Sequence, residues 1–380
     1  MDSDFGLLIC ITCLMVLLHF RNFVVSNKPQ VPCYFIFGDS LFDAGNNNQL
    51  DTKWKANYPP YGIDFPKGHT GRFTNGRTTA DIIGQTLGFN EFIPTYATAT
   101  DDQISKGVNY ASGGAGILDK TGAHNGDRFS LYKQMIHHNS TISRISRIQK
   151  NTTFLKECIY VINIGMNDYI NNYFAKAPGY RYDSSELLST EDYTDVLMVQ
   201  YYRQLKVLYN LGGRKVALFG LDQLGCTPLI VKRWILKGRP CQLLVSDAVY
   251  VFNNKLKTLV EGLNKDKPDA RFTFINTTSI LQEKKGATVT PPSLPIPTKK
   301  KKLPDYTKYF ARSCCPVKDK DDWQCIADSV PCPTRTTSTF FDSVHPTEPT
   351  NIAIATRSYK ALLPTDVYPY DIHQLTEVKH

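Results

Sequence analysis

The chain has 380 residues, of which 42% are hydrophobic and 21% charged, and these proportions exclude a disordered or fibrous protein. The length would hold two average domains, but parallel α/β folds of this size often form one, so we predict a single domain over residues 27–380. The formal net charge is +9, and because its densest basic run, residues 299–302, lies in a proline-rich stretch without aromatic residues, we predict a solvated loop there and no nucleic-acid partner.

Residues 1–26 have the pattern of a signal peptide. Residues 5–20 are almost wholly apolar, which suits a signal core and is short for a membrane span. Small residues predict cleavage between Ser26 and Asn27, while an acidic start is untypical and leaves a retained signal anchor as the alternative. No second apolar run of spanning length follows. We therefore expect a secreted, extracellular protein without an integral membrane span after cleavage.

The cysteines agree with an oxidising compartment. Ten are present, and removing the two in the leader leaves an even number. There is no C-x-x-C pair, which argues against a zinc cluster, and the adjacent Cys314 and Cys315 are poorly placed to bridge each other. Disulfides are predicted, with their connectivity open. Sequons beginning at Asn139, Asn151 and Asn276 predict N-glycosylation. The eight remaining cysteines are Cys33, Cys158, Cys226, Cys241, Cys314, Cys315, Cys325 and Cys332.

Four apolar runs have the character of buried strands. They are continuous rather than alternating, as expected of strands covered on both faces, and turn residues follow the first three. Two stripes at helical spacing, residues 197–208 and 245–263, lie between the later runs, so a parallel α/β sheet with right-handed crossovers is predicted. The four strands are predicted at residues 33–37, 159–164, 215–219 and 271–275.

The C-terminal third departs from this pattern. Residues 283–338 are rich in proline, lysine and cysteine and show little periodicity, so we expect an irregular, disulfide-pinned excursion near the rim of an active site. A final helix is predicted to begin near Thr347, where Pro349 is tolerated because first-turn amides lack intrahelical acceptors.

Three residues together provide what nucleophilic acyl transfer requires. Ser40 follows the first strand directly, at the carboxyl edge where ligands bind in open α/β sheets. Asp342 and His345 are three positions apart, a spacing that one helical turn or a tight loop brings into contact. A serine hydroxyl needs an imidazole to take its proton and a carboxylate to orient that imidazole. Each feature alone is more often structural, and the absence of a G-x-S-x-G elbow argues against the α/β-hydrolase fold.

Two further glycine-containing segments offer donors for an oxyanion. Residues 109–116 contain a glycine-rich turn whose amides can approach a substrate closely, and residues 165–168 carry Asn167, a neutral side-chain donor. Each segment alone is again more often structural.

These four motifs, in this order, resemble the blocks of the SGNH hydrolase superfamily and its plant GDSL esterase/lipase family. The resemblance implies a three-layer α/β/α, flavodoxin-like fold with Ser40 as nucleophile, His345 as base and Asp342 as the acid that orients it. It also implies an oxyanion hole of the Ser40 amide, Gly114 (next to Gly113) and Asn167. The resemblance extends beyond the catalytic residues, from about residue 34 to residue 357, and includes residues 37–48, 56–62, 70–77, 219–228 and 345–348.

The resulting prediction is a serine esterase or lipase that hydrolyses lipid or acyl esters through an acyl-enzyme, with no metal or organic cofactor. A cell-wall polysaccharide O-acetylesterase or acyltransferase would keep the same triad. A catalytically silent binding protein on the same fold is the alternative from another class. Departures such as Phe341, where the family often has tryptophan, leave substrate preference open.

Overall fold

The computed structural model describes residues 28–175, 188–233, 241, 243–283, 312–319 and 322–379. The predicted signal peptide and the basic run at residues 299–302 lie outside the described residues, as does most of the predicted excursion before residue 312.

A five-stranded sheet in the order β1-β2-β3-β4-β5 forms the centre of the molecule. The first four strands are parallel and in register, with Gly38 opposite Asn163 and Phe219 opposite Ile275. The fifth strand is antiparallel to the fourth and was not predicted. The four predicted strands are confirmed. The strands are β1 (Tyr34–Gly38), β2 (Ile159–Asn163), β3 (Lys215–Phe219), β4 (Arg271–Ile275) and β5 (Val367–Tyr368).

Helices cover both faces of the sheet. Ten α-helical segments lie in the described residues: α1 (Thr79–Thr86), α2 (Asp101–Ile104), α3 (Leu131–Ile148), α4 (Met166–Asp168), α5 (Thr190–Asn210), α6 (Pro228–Arg233), α7 (Leu243–Asp266), α8 (Thr277–Glu283), α9 (Glu348–Tyr359) and α10 (Ile372–Glu377). Shorter 3-10 turns span Asn46–Gln49, Ala123–Asn125, Thr153–Glu157 and Leu224–Cys226, and a π-helical turn spans Tyr169–Tyr173.

Alternate strand residues enter two separate apolar cores. Phe35 and Phe37 point to the side covered by α3, α5 and α7, while Tyr34 and Ile36 point to the side covered by α1, α9 and α10. This alternation follows from the two-residue period of a strand, and the continuous apolar runs are explained because both faces are buried. The arrangement is the predicted three-layer α/β/α fold.

The two long predicted helices are present, and local chemistry fixes their ends. The side chain of Ser189 caps α5 by accepting the amide of Asp192, and Gly213 closes its C-terminus by donating to the Leu208 carbonyl at 3.0 Å. Helix α9 follows an N-cap at Thr347 with proline in its first turn, as predicted.

Four disulfides are formed: Cys33–Cys158, Cys226–Cys241, Cys314–Cys332 and Cys315–Cys325. The adjacent cysteines therefore bond to different partners, as expected. Across the described residues 312–319 and 322–338 the chain has neither helix nor extended strand, and the last two disulfides join positions within this segment. Among the described helices, none combines the length and apolarity needed to cross a bilayer.

The three sequons differ in setting. Asn139 is exposed on helix α3, and Asn151 is exposed in the loop before β2, where its side chain accepts the Thr153 amide at 2.9 Å. Asn276 is half-buried at the end of β4 and accepts the amide of Ser279 at 3.2 Å. Glycosylation remains a prediction, and Asn139 and Asn151 are the two exposed sites of the three.

Candidate active site

The three residues predicted to form a triad come together at the carboxyl edge of the sheet. The Oγ of Ser40 lies 2.7 Å from Nε2 of His345, and Nδ1 of His345 lies 2.7 Å from Oδ2 of Asp342. Ser40 is half-buried and faces the surface, whereas Asp342 and His345 are 0% and 2% exposed. The arrangement joins a reachable hydroxyl to an imidazole and a carboxylate that are shielded from water.

The turn at the end of β1 places Ser40. Gly38 has φ +149°, and a Cβ at this position would lie 2.3 Å from the carbonyl oxygen of Asn163 on the neighbouring strand. Only glycine allows the two chains to approach so closely. The Asp39 amide then donates to that same carbonyl at 3.1 Å, which turns the chain so that Ser40 projects beyond the sheet.

A tight loop, not a helical turn, connects the predicted acid and base. The Oδ1 atom of Asp342 accepts the amides of Val344 at 2.8 Å and His345 at 2.7 Å. The Phe341 amide in turn donates to the His345 carbonyl at 2.8 Å. These bonds hold the carboxylate so that its other oxygen meets the imidazole. The rings of Phe73 and Trp323 lie 5.1 and 5.0 Å from the imidazole ring and pack against it.

The structure distinguishes the two adjacent glycines of the second motif. The Gly113 amide donates to Oδ2 of Asp43 at 2.9 Å, and the Gly113 carbonyl accepts from Asn47 at 3.0 Å, so its polar groups are occupied. Gly114 has φ +80°, and within the described chain its amide has no hydrogen-bond acceptor. A Cβ on Gly114 would overlap the Trp54 ring at 1.4 Å. Gly114 is therefore the glycine whose amide is available to a ligand.

The glycine turn is brought to Ser40 because the preceding segment runs alongside β1. The Tyr110 amide donates to the Ile36 carbonyl at 2.7 Å, and the Ser112 amide donates to the Gly38 carbonyl at 3.1 Å. The segment thus extends the sheet by a short parallel pairing and ends beside the turn that carries Ser40.

Asn167 follows β2 and has a fixed amide orientation. Its nitrogen donates to the Ala115 carbonyl at 3.0 Å, and its oxygen accepts from the Asn171 side chain at 2.7 Å. Asn171 reaches it from the π-helical turn, a feature often found at functional sites. One amide hydrogen of Asn167 remains without an acceptor in the described part of the chain. The side chain is 9% exposed.

Asp168, which the sequence analysis left without a role, holds the loop after the glycine turn. Its carboxylate accepts the amides of Ile117 at 2.9 Å and Leu118 at 3.1 Å and the hydroxyl of Thr121 at 2.6 Å. Burial raises the pKa of Asp168 to about 6, against the lowering effect of these bonds. The only sequence signal for a role of Asp168 at the site was its position directly after Asn167.

Burial favours the protonated form of Asp39, the residue next to Ser40. Burial raises its pKa to about 8; the Leu41 amide lowers it, and the charges of Asp222 and Asp168 raise it further. A protonated Asp39 places no negative charge beside Ser40, where an oxyanion would form. The sequence alone did not indicate that burial would favour a protonated Asp39.

Comparisons with known proteins identify the family of the chain. The profile of the GDSL-like Lipase/Acylhydrolase family matches residues 34–357. A GDSL esterase/lipase of Arabidopsis thaliana is 41% identical over 364 residues, which cover 93% of this chain and 95% of the relative. A second from the same plant is 40% identical over 373 residues, with 97% and 98% covered. The chain therefore belongs to the GDSL-like lipase/acylhydrolase family and is a carboxylic ester hydrolase.

Proposed function

We propose that the protein is a secreted serine esterase or lipase that cleaves carboxylic esters through Ser40, His345 and Asp342. The observation that carries the proposal is the unbroken relay of two 2.7 Å contacts from the serine hydroxyl through the imidazole to the buried carboxylate. A hydroxyl, an imidazole and a carboxylate in this order make up a general-base-activated nucleophile.

In the first half-reaction, Ser40 Oγ attacks the ester carbonyl carbon while Nε2 of His345 takes the hydroxyl proton. Asp342 receives the Nδ1–H bond of the resulting imidazolium and stabilises its charge. The tetrahedral intermediate then expels the alcohol, which leaves with the proton from His345, and an acyl-enzyme remains. In the second half-reaction, water loses a proton to His345 and attacks the acyl carbon. The bond between the acyl carbon and Ser40 Oγ then breaks, His345 returns the proton to Oγ, and the acid is released.

In this proposal, three donors receive the negative charge on the carbonyl oxygen. They are the amides of Ser40 and Gly114 and the free amide hydrogen of Asn167. Because the surrounding contacts fix Gly113 and Asn167 in advance, these donors need little reorganisation as charge develops. Loss of one such donor raises the barrier by about 3 kcal/mol in comparable sites.

The secretory route is supported by three features. Four disulfides require an oxidising compartment, the apolar run at residues 5–20 suits a signal core, and Asn151 offers an exposed sequon. Recovery of the protein from culture medium, with a mature N-terminus near Asn27, tests this part of the proposal; an intact leader on the recovered protein contradicts it.

The catalytic proposal is tested with Ser40→Ala and a matched control, Ser143→Ala, which removes an exposed hydroxyl on helix α3. Wild type and control should react with a fluorophosphonate and release a burst of p-nitrophenol equal to the enzyme concentration, as expected for an acyl-enzyme. Ser40→Ala should do neither. Equal labelling and hydrolysis by all three folded proteins would sink the serine-esterase proposal.

The substrate class is addressed in the same assay. A chain-length series of p-nitrophenyl esters, compared with acetylated xylan and pectin, ranks lipid-like against carbohydrate substrates. Higher kcat/KM on the acetylated polymers would favour a polysaccharide O-acetylesterase with the same triad.

A further inference from the structure

The phenol of Tyr61 makes a direct contact with the acid of the triad. Its hydroxyl donates to Oδ2 of Asp342 at 2.7 Å, and Oδ2 is also the oxygen that meets Nδ1 of His345. Tyr61 is separated from Asp342 by 281 positions and is 1% exposed. One carboxylate oxygen is thus shared between the imidazole and a buried phenol.

Tyr61 completes the hydrogen bonding of a carboxylate that no water reaches. Asp342 is 0% exposed and accepts four bonds: two backbone amides at Oδ1, and the imidazole and the phenol at Oδ2. A carboxylate has about four lone-pair sites, so this acceptor is fully used. Three of the donors belong to the loop that carries Asp342 itself. Among the described residues, Tyr61 is the one donor from outside this loop, so it fixes the carboxylate relative to the rest of the site.

The direction of this hydrogen bond is defined. The Cys325 amide donates to the Tyr61 oxygen at 3.2 Å, so the phenol hydrogen is left for Asp342. Burial raises the pKa of Tyr61 well above 10, and the charge of Asp342 raises it further. The titratable groups that face it are Asp342 and Tyr58, and Tyr58 in turn faces Asp322. The phenol therefore remains a neutral donor throughout the working pH range.

The ring of Tyr61 is held on several sides. It packs edge-on against Phe73 at 6.1 Å, Phe341 at 5.8 Å and Tyr58 at 5.4 Å between ring centroids. The following amide, that of Gly62, donates to the Thr74 carbonyl at 2.9 Å. A side chain with so little freedom can hold its partner with the precision that a catalytic site needs.

We propose that Tyr61 is a positioning residue of the catalytic site, which acts through Asp342 on His345. It holds the plane of the carboxylate so that Oδ2 meets Nδ1, and it draws negative charge away from Oδ2. This inference rests on the proposed function, since it assigns a role within that triad. It adds to the catalytic relay a residue from the loop at residues 56–62.

The test compares Tyr61→Phe with Tyr58→Phe. The control removes a phenol of the same loop that donates to the Cys325 carbonyl at 3.0 Å. Tyr61→Phe should lower kcat about tenfold, as expected for loss of a hydrogen bond to a charged group, and leave KM within about twofold. With more charge on Oδ2 the imidazolium persists to higher pH, so the acid limb of kcat/KM should move upward. Tyr58→Phe should keep the wild-type profile.

A double-mutant cycle separates action through Asp342 from a general loss of structure. In the background Asp342→Asn the further change Tyr61→Phe should alter acylation less than about twofold, because the charge on which it acts is gone. Fluorophosphonate titration counts active sites, and thermal unfolding checks each variant.

The inference is overturned if Tyr61→Phe matches Tyr58→Phe in kcat and pH profile, or if it costs the same with and without the carboxylate. Ser40→Ala distinguishes the two levels. If Ser40→Ala is inactive while Tyr61→Phe has wild-type kcat and pH profile, only the role of Tyr61 is rejected. If Ser40→Ala is active, the triad and the role of Tyr61 are both rejected.

Discussion

Replacement of Gly114 by alanine tests the assignment of the oxyanion hole. The residue has φ +80°, and the added methyl would lie 1.4 and 1.5 Å from two carbons of the Trp54 ring, where carbon atoms normally approach no closer than about 3.5 Å. Trp54 cannot move aside easily, because it is 3% exposed and packs against Trp323 and His124. The glycine turn itself must shift.

The expected cost has two parts. A left-handed conformation costs an alanine about 1–2 kcal/mol, and an extra methyl in a packed core costs about 1–3 kcal/mol, so the free energy of unfolding should fall by about 2–5 kcal/mol. Because the shifted turn carries the Gly114 amide away from the carbonyl oxygen of the substrate, kcat should fall by about 100-fold, with a smaller effect on KM.

The assay combines urea unfolding with p-nitrophenyl ester kinetics normalised by fluorophosphonate titration. Gly262→Ala is the matched control, since this glycine lies in helix α7 and a Cβ there meets nothing within 4 Å. A Gly114→Ala protein with wild-type stability and kcat within a factor of three would refute both the steric argument and the role of this amide.

Substitutions at three further positions have expected results. Gly262→Ala should raise the free energy of unfolding by about 0.5–1 kcal/mol, because alanine is the better helix former, and an unchanged urea midpoint contradicts this. Burial raises the pKa of Asp43 to about 6. Below that pH the protonated carboxyl is a weaker acceptor for the Gly113 amide, so kcat should fall on acidification. This part of the pH dependence should be absent from Asp43→Asn. The ordinary pKa of an aspartate is about 3.8 and that of Asp43 in the folded protein is about 6, so the contribution of Asp43 to stability is fully present below pH about 3.8 and is lost as pH rises through about 6. Acidification should therefore raise the Tm of wild type relative to that of Asp43→Asn, and a relative fall would contradict the sign. Asp168→Asn places an amide group against backbone donors, so the free energy of unfolding in urea should fall by about 1–3 kcal/mol and kcat should also fall. A variant indistinguishable from wild type would show that the loop does not depend on this carboxylate.

The parallel sheet was predictable because each strand is buried on both faces and so leaves an uninterrupted apolar run. The antiparallel strand Val367–Tyr368 has only two residues, too few to show any periodicity. It forms through tertiary contacts, including the hydroxyl of Thr273, which donates to the Tyr368 carbonyl at 2.9 Å. The strand propensities of individual residues do not predict such a pairing.

The reacting groups of the candidate site were predictable, but the groups that support them were not. Ser40, Asp342 and His345 occur in recognisable motifs at strand ends or in a short loop. Asp43 and Tyr61 have roles that depend on which groups approach them from 70 and 281 positions away. A buried phenol needs a hydrogen-bond partner, yet sequence alone does not identify the partner.

The proposed nucleophile, Ser40, and its proposed base, His345, lie 305 positions apart in the chain. During synthesis, residue 40 emerges long before residue 345, and a serine without its imidazole is a poor nucleophile. A growing or C-terminally truncated chain therefore carries no working hydrolase, even when β1 and β2 have already paired. With this triad, hydrolysis begins only once the segment that carries His345 has folded against the sheet edge beside Ser40.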